Sequence, residues 1–233
     1  MIKFENVEIV GWEAAIRGMR NPKNSWEKSD SGYGCGNDKE YFCDKCSSSF
    51  HCPSREKTYN IGPNDLNLMT RLRNAGTDHR KFMRMIVVYV DIISPLYQLK
   101  ELDQYKVGVT SDSCSTMHKI HAKEFTIDDF SHEHLLSSPD KEEDSKGLLN
   151  QTINLLNYYR EKFNETGNKD YWWQMIQLLP SSYNQRRTYM LNYEVLANIY
   201  KSRRGHKLDE WRDFCDWIET LPYSELITGK ENN

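Results

Sequence analysis

Long apolar runs, a strong net charge and an export leader are all missing from this chain, and each absence narrows what it does. The longest apolar stretch, Met85–Tyr89, is far below the ~20 residues that a membrane helix needs, which argues against a membrane protein. Lysine and arginine total 31 against 34 acidic residues, a formal charge of −3. No global field therefore gathers nucleic acid by neutralising phosphates, and nucleic acid is not an expected partner. The opening MIKFENVEIVGW has no basic start followed by an apolar block, so the expectation is a cytoplasmic protein with reduced thiols. A hydrophobic content of 38 % and a mean hydropathy of −0.80 are polar for a folded domain. Fourteen Tyr and six Trp nevertheless argue against disorder. The core is expected to consist of large rings, with further surface buried by self-association.

Hydrophobic periodicity sketches the elements. Lys3–Val10 alternates as a strand with Phe4, Val7 and Ile9 on its inner face, and Trp12–Met19 suits a short helix that stops near Asn21-Pro22. Structure resumes at Gly62-Pro63-Asn64-Asp65, where Asn64 or Asp65 caps a helix through Arg73. Ile86–Ile93, rich in β-branched residues, reads as a central strand ended by Pro95, with a short helix at Leu96–Leu102. Phe125–Gly147 is polar and reads as a surface loop. Leu149, Ile153, Leu156, Tyr159 and Phe163 recur at helical spacing up to Gly167. Further helices are expected at Tyr171–Leu179, at about Thr188–Arg203 and at Leu208–Leu221, with a polar turn after Pro180.

Between about residues 24 and 59 the chain shows neither helical nor strand period. Cys35, Cys43, Cys46 and Cys52 fall there within eighteen residues, as C-x7-C-x2-C-x5-C. One reading is a structural zinc holding a segment too small and polar to build its own core. The other is a set of free thiols. A nucleic-acid module would rest on these cysteines alone.

Two segments do not look like ordinary core. Asn192, Leu196, Ile199 and Arg203 fall at i, i+4, i+7 and i+11 of the expected helix, so they share one stripe. The end residues are about 16 Å apart along the axis. An extended ligand or a neighbouring subunit would reach both. Alternatively, Arg203 escapes to solvent and complements the helix dipole. The second segment, Lys106–His118, carries Gly108, Thr110, Ser111, Ser113, Ser115 and Thr116. These offer donors to a phosphate from a loop, or simply form a Ser/Thr-rich turn; the P-loop pattern is absent.

With their spacing, these two segments resemble the flavin-dependent thymidylate synthases, the ThyX family. Leu179-Pro180, Tyr183, Asn192-x5-Asn198-x4-Arg203, His206 and Glu210 follow that family's order. The resemblance implies an α+β subunit with a central sheet and long C-terminal helices, a single domain over 1–233 interrupted by the Cys-rich insertion. It also implies FAD, with Asn192, Asn198 and His206 as its ligands, and a pyrimidine nucleotide bound by Arg203. Lys106, Ser113 and Ser115 are the further nucleotide-binding candidates. NADPH and methylene-tetrahydrofolate are the implied co-substrates, and a homotetramer the implied assembly. In such chemistry the cofactor reacts and the protein positions, so no nucleophilic side chain is demanded, and none is assigned.

The chain departs from the family where the signature motif belongs. Tyr105-Lys106-Val107 stands in place of Arg-His-Arg, Ser113 in place of the glutamate and Met117 in place of an arginine. Each charged hydrogen bond contributes roughly 1.5–3 kcal/mol, so losing two or three arginines weakens nucleotide binding by several kcal/mol unless other groups replace them. Two functions are consistent with this: reductive methylation of a pyrimidine deoxynucleotide such as dUMP, or a nucleotide-binding or regulatory protein that kept the architecture and lost the reaction.

Overall fold

The computed structural model describes residues 2–35, 57–138 and 143–230. Two compact units emerge, each assembled from three stretches of chain. The first comprises Met1–Val7, Tyr89–Met190 and Gly205–Phe214, and the second Glu8–Val88, Leu191–Arg204 and Cys215–Asn233. In chain order the elements are β1 (Lys3–Val10), α1 (Trp12–Arg20), β2 (Gly32–Cys35), β3 (Lys57–Asn60), α2 (Pro63–Asn74), β4 (Val87–Pro95), α3 (Leu96–Leu102), β5 (Thr110–Ser113), α4 (Ser145–Thr166), α5 (Lys169–Leu178), β6 (Asn184–Asn192), α6 (Tyr193–Arg203), α7 (Asp209–Glu219) and α8 (Glu225–Thr228). A four-stranded sheet has the order β1-β4-β6-β5, and β2 pairs with β3 in a separate antiparallel ribbon. The expected α+β class is the one observed.

In the first unit the sheet is held across its strands by charge. Asp91 on β4 accepts hydrogen bonds from Thr188 and Arg186 on β6, at 2.6 and 3.1 Å, and from Asn6 on β1 at 2.9 Å. These donors, Thr188 foremost, hold its pKa below the ordinary carboxylate value. Arg186 continues to Glu5 at 2.6 Å. Asn6 has a positive φ of 53°, which breaks the alternation of β1. Val7, expected inside, is 43 % exposed, while Phe4 and Ile9 are half-buried. A separate aromatic and aliphatic core joins Phe125 and Phe130 to Leu149, Ile153, Leu156 and Met175. The expected loop over Phe125–Gly147 is therefore only partly a surface feature: its two phenylalanines anchor it beneath α4 and α5. Gly167 closes α4 with a φ of 68°, as its position after the periodic run suggested.

The expected helix at Thr188–Arg203 is instead a strand followed by a helix, with the junction at Asn192. Gln185, Arg187, Tyr189 and Leu191 alternate toward the inner side of β6. Arg187 disguises that period, because a charge is tolerated inward only with partners. It has Asp103 at 2.6 Å, Gln185 at 2.9 Å and the Tyr189 hydroxyl at 3.3 Å.

In the second unit, Gly11 starts α1 with a φ of 94°; a Cβ there would lie 2.0 Å from the Met85 carbonyl oxygen, so no other residue fits. Trp12 packs edge-on against Tyr193 and Tyr223, at centroid distances of 5.1 and 5.3 Å. The polar centre is Asp65, fully buried, which pairs with Arg20 at 2.6 Å. It also accepts from Ser29 and Ser31, each at 2.7 Å, and from the Asp30 N–H at 3.1 Å. Asp65 is thus an interior acceptor and not the helix cap expected of it. Gly62 occupies the N-cap position, and Asp30 reaches across to accept from the N–H groups of Asn64 and Asp65.

Burial alone would raise the Asp65 pKa, but the hydrogen bonds from Ser31, Ser29 and Arg20 outweigh it and hold the carboxyl below its ordinary value. Asp65→Asn leaves the Arg20 cation buried without its counter-charge, and urea unfolding at pH 7 should show a loss of about 3–5 kcal/mol. The folded pKa lies below the unfolded one, so this stabilisation is complete above the unfolded value and disappears as pH falls through the folded value. Acid titration below about pH 4 should therefore destabilise the parent chain more steeply than the variant.

Candidate functional site

The residues singled out by sequence fall in both units. Asn192, Asn198 and Arg203 belong to the second, and Lys106, Ser113, Ser115 and His206 to the first. Each group has its own local logic.

Asn192 caps α6: its backbone is extended and its Oδ1 accepts the Val195 N–H at 3.0 Å. It therefore precedes the helical stripe instead of beginning it. Within that stripe Leu196 and Ile199 are fully buried, and Arg203 is half-buried in the last turn. Asn198 is exposed, and its Oδ1 accepts from Arg80 Nη2 at 3.0 Å. One turn before it on α6, Glu194 takes Arg80 at 3.5 Å and pairs with Arg84 through both carboxylate oxygens. That hydrogen bonding raises the Arg84 pKa. Two guanidinium groups thus face one carboxylate beside the Asn198 amide, and the charge of Asp78 also acts on Arg84. Arg80 and Arg84 escaped the sequence reading because they lie 114 and 110 residues from Glu194, outside every recognised motif.

The Ser/Thr-rich segment is not a loop throughout. Thr110–Ser113 form the edge strand β5, antiparallel to β6, with Ser113 opposite Arg187 and its residues exposed. Lys106 is exposed on the turn after α3. Ser115 Oγ accepts the N–H groups of Met117 and His118 at 3.1 and 2.8 Å, the local geometry of a serine turn. The carbonyl of Cys114 accepts from Gln185 Nε2 at 2.5 Å. His206 Nδ1 accepts the Leu208 N–H at 3.2 Å, which leaves its ring proton on Nε2, 3.6 Å from Glu101. The same Glu101 oxygen accepts from Trp211 Nε1 at 2.8 Å, and Glu210 beside it accepts from Tyr97. His206 is in this way tied into the entry of α7.

Cys43, Cys46 and Cys52 lie outside the described residues, and Cys35 ends β2. Among the described residues no group of three or more His, Cys, Asp or Glu side chains is placed to hold a metal ion. Nor, among them, is any helix long and apolar enough to cross a membrane.

No protein-family model and no curated protein sequence matches the chain. Solved structures do match. Thymidylate synthase X (ThyX) from Helicobacter pylori, solved with FAD and dUMP, is similar over 98 % of this chain and 97 % of its own, with a TM-score of 0.63 and 16 % identity. The chain has the ThyX fold. A UMP/dUMP methylase, PolB from Streptomyces cacaoi, bound with 5-Br dUMP, is similar over 98 % of this chain and 95 % of its own, at a TM-score of 0.56 and 12 % identity.

The cap geometry of Asn192 makes a separable prediction. Asn192→Ala should lower stability by about 1 kcal/mol, the usual worth of an N-cap, seen as a fall of roughly 2–4 °C in thermal midpoint. Asn192→Asp, which keeps the acceptor, should restore it.

Proposed function

We propose that this chain is a ThyX-type flavoprotein enzyme that methylates a pyrimidine deoxynucleotide such as dUMP by reductive one-carbon transfer. The observation that carries this reading is the near-complete, two-way overlap with proteins solved holding dUMP or its bromo analogue. FAD, when bound, supplies the hydride, with methylene-tetrahydrofolate as the carbon donor and NADPH as the reductant. The donor set around Glu194 and Asn198 suits that cofactor. Arg80, Arg84 and Asn198 present guanidinium and amide groups of net positive charge, the chemistry that charge-assisted bonds to a pyrophosphate require. In this reading Arg80 and Asn198 hold the anionic part of FAD. Asn192 contributes its Nδ2, which has no hydrogen bond among the described residues, and His206 remains a flavin ligand. Arg203, Lys106, Ser113 and Ser115 take the nucleotide. Arg203 supplies the cationic anchor; Ser113, on an exposed edge strand, supplies a hydroxyl and Lys106 a mobile charge. The proposal includes a homotetramer, a cytoplasmic location and zinc in the Cys35, Cys43, Cys46 and Cys52 segment.

One observation favours the alternative, a nucleotide-binding or regulatory protein without turnover. The Ser115 hydroxyl already satisfies two backbone N–H groups, and no arginine stands among residues 105–118.

A visible absorption spectrum of the purified protein, repeated after incubation with FAD and gel filtration, separates the two. The enzyme reading expects retained flavin bands and, by light scattering, a mass near four times 27.6 kDa. A protein that stays colourless after incubation selects the alternative. Arg80→Ala should weaken FAD about tenfold, the loss of one charge-assisted bond of roughly 1.4 kcal/mol. Arg203→Ala should weaken dUMP by a similar factor while flavin is retained; unchanged affinity for every pyrimidine nucleotide tried would remove Arg203 from the site.

A further inference from the structure

The second unit contains a cavity of about 470 Å³ whose lining includes none of the residues assigned above to FAD or nucleotide. It opens between the end of α1, the turns that follow it and one side of α2 from Asn64 to Arg71. Its floor is buried: Arg20 and Ser25 are 3 % and 8 % exposed, and Arg20 donates to the Ser25 carbonyl at 3.1 Å. The Arg20 charge is already balanced by Asp65, so the floor is rigid and close to neutral. The rim is different. Lys23, Lys28 and Arg71 line the cavity with Asn64 and Asn67, and no carboxylate lines it. Among the described residues no acidic side chain pairs with any of these three cations. Of the neighbouring acids, Asp65 pairs with Arg20 and Asp30 accepts the first N–H groups of α2, and neither these nor the exposed Glu27 is in the lining.

Three cations that line one hollow with no carboxylate in its lining offer an anion favourable charge. The lining also says which kind. Among the described residues Leu68 is the only apolar one in the lining and no ring belongs to it, so they offer nothing on which a nucleobase or another aromatic group would stack. The volume is in the range of small-molecule sites, larger than a single phosphate needs, and its donors are charges and amides. We propose that this cavity binds the polyphosphate group of a small phosphorylated ligand, with Lys23, Lys28 and Arg71 taking the charge and Asn64 and Asn67 the remaining oxygens. A hollow lined by three cations suits a compact polyanion better than an extended nucleic-acid backbone, and the chain as a whole carries no positive field.

The test is isothermal titration of the full chain with inorganic tripolyphosphate, pyrophosphate and orthophosphate at 50 mM salt. Saturable binding is expected, tightening with each added phosphate and weakening at 200 mM salt. Parallel titrations with ATP and dTTP distinguish the sources. Affinities equal to that of tripolyphosphate mean that the phosphate chain alone is recognised; tighter binding of either nucleotide names a nucleotide. Lys23→Ala and Arg71→Ala should each weaken tripolyphosphate about tenfold, or about 1.4 kcal/mol, and Arg71→Lys should recover most of it. Both residues are exposed, so the variants should keep the parent circular dichroism spectrum. Lys119→Ala, an exposed charge elsewhere, and Arg203→Ala should leave binding unchanged. The proposal fails if no polyphosphate binds saturably, if Arg203→Ala abolishes binding while Lys23→Ala and Arg71→Ala do not, or if only a single-stranded oligonucleotide binds.

Discussion

The carboxylate of Asp65 organises the second unit. It is completely buried and accepts four hydrogen bonds, from Arg20, Ser29, Ser31 and the Asp30 backbone. A buried charge is tolerated only when its lone pairs are filled in this way, and each donor comes from a different point on the chain between α1 and β2. The constraint propagates. Once Ser29 to Ser31 are fixed around Asp65, Asp30 is held where it caps α2, and Gly62 must be glycine because a Cβ there would lie within 2.4 Å of Asp30 atoms. The floor of the basic cavity is set by the same pair, since Arg20 is both the partner of Asp65 and the wall behind Ser25.

Arginine distribution is the second organising theme. Arg186 and Arg187 each serve carboxylates of the same unit and hold the sheet together. Arg80 and Arg84 share a single glutamate, and Arg84 also feels the charge of Asp78. Arg71, with Lys23 and Lys28, has no acidic partner among the described residues. The ratio of cations to anions at each place, more than the presence of an arginine, separates sheet scaffolding from candidate anion sites. A ThyX fold whose signature segment is poor in arginine is intelligible on these terms, because the fold depends on buried apolar residues and satisfied pairs rather than on the charges that meet a ligand.

Much of the architecture was legible in the sequence where one physical signal dominated. Ile86–Ile93 is nearly continuous in hydrophobicity and rich in β-branched residues, and all of it but Ile86 lies in β4. Leu96–Leu102 and the run from Leu149 to Gly167 carry a clean helical period with a stop. The reading failed where two signals competed. Inward Arg187 hid the two-residue period of β6, so the strand was absorbed into α6, and Asn192 was placed on a stripe when it is the cap that begins the helix. Asn6 reversed the phase of β1 through a left-handed backbone that nothing in its neighbours announces.

By itself the sequence determined the class of fold, the order of its main helices with strands β1 and β4, and the resemblance to the ThyX family. Those properties follow from local periodicity, turn chemistry and the spacing of residues within one segment. Tertiary structure alone decided which charges are neutralised and which are not. Glu194 meets Arg84 across 110 residues, Asp65 meets Arg20 across 45, and Lys23 and Arg71 come to the rim of one cavity from separate helical regions. Electrostatic partnership depends on distance in space, and distance in space between remote segments is fixed only when the core has packed.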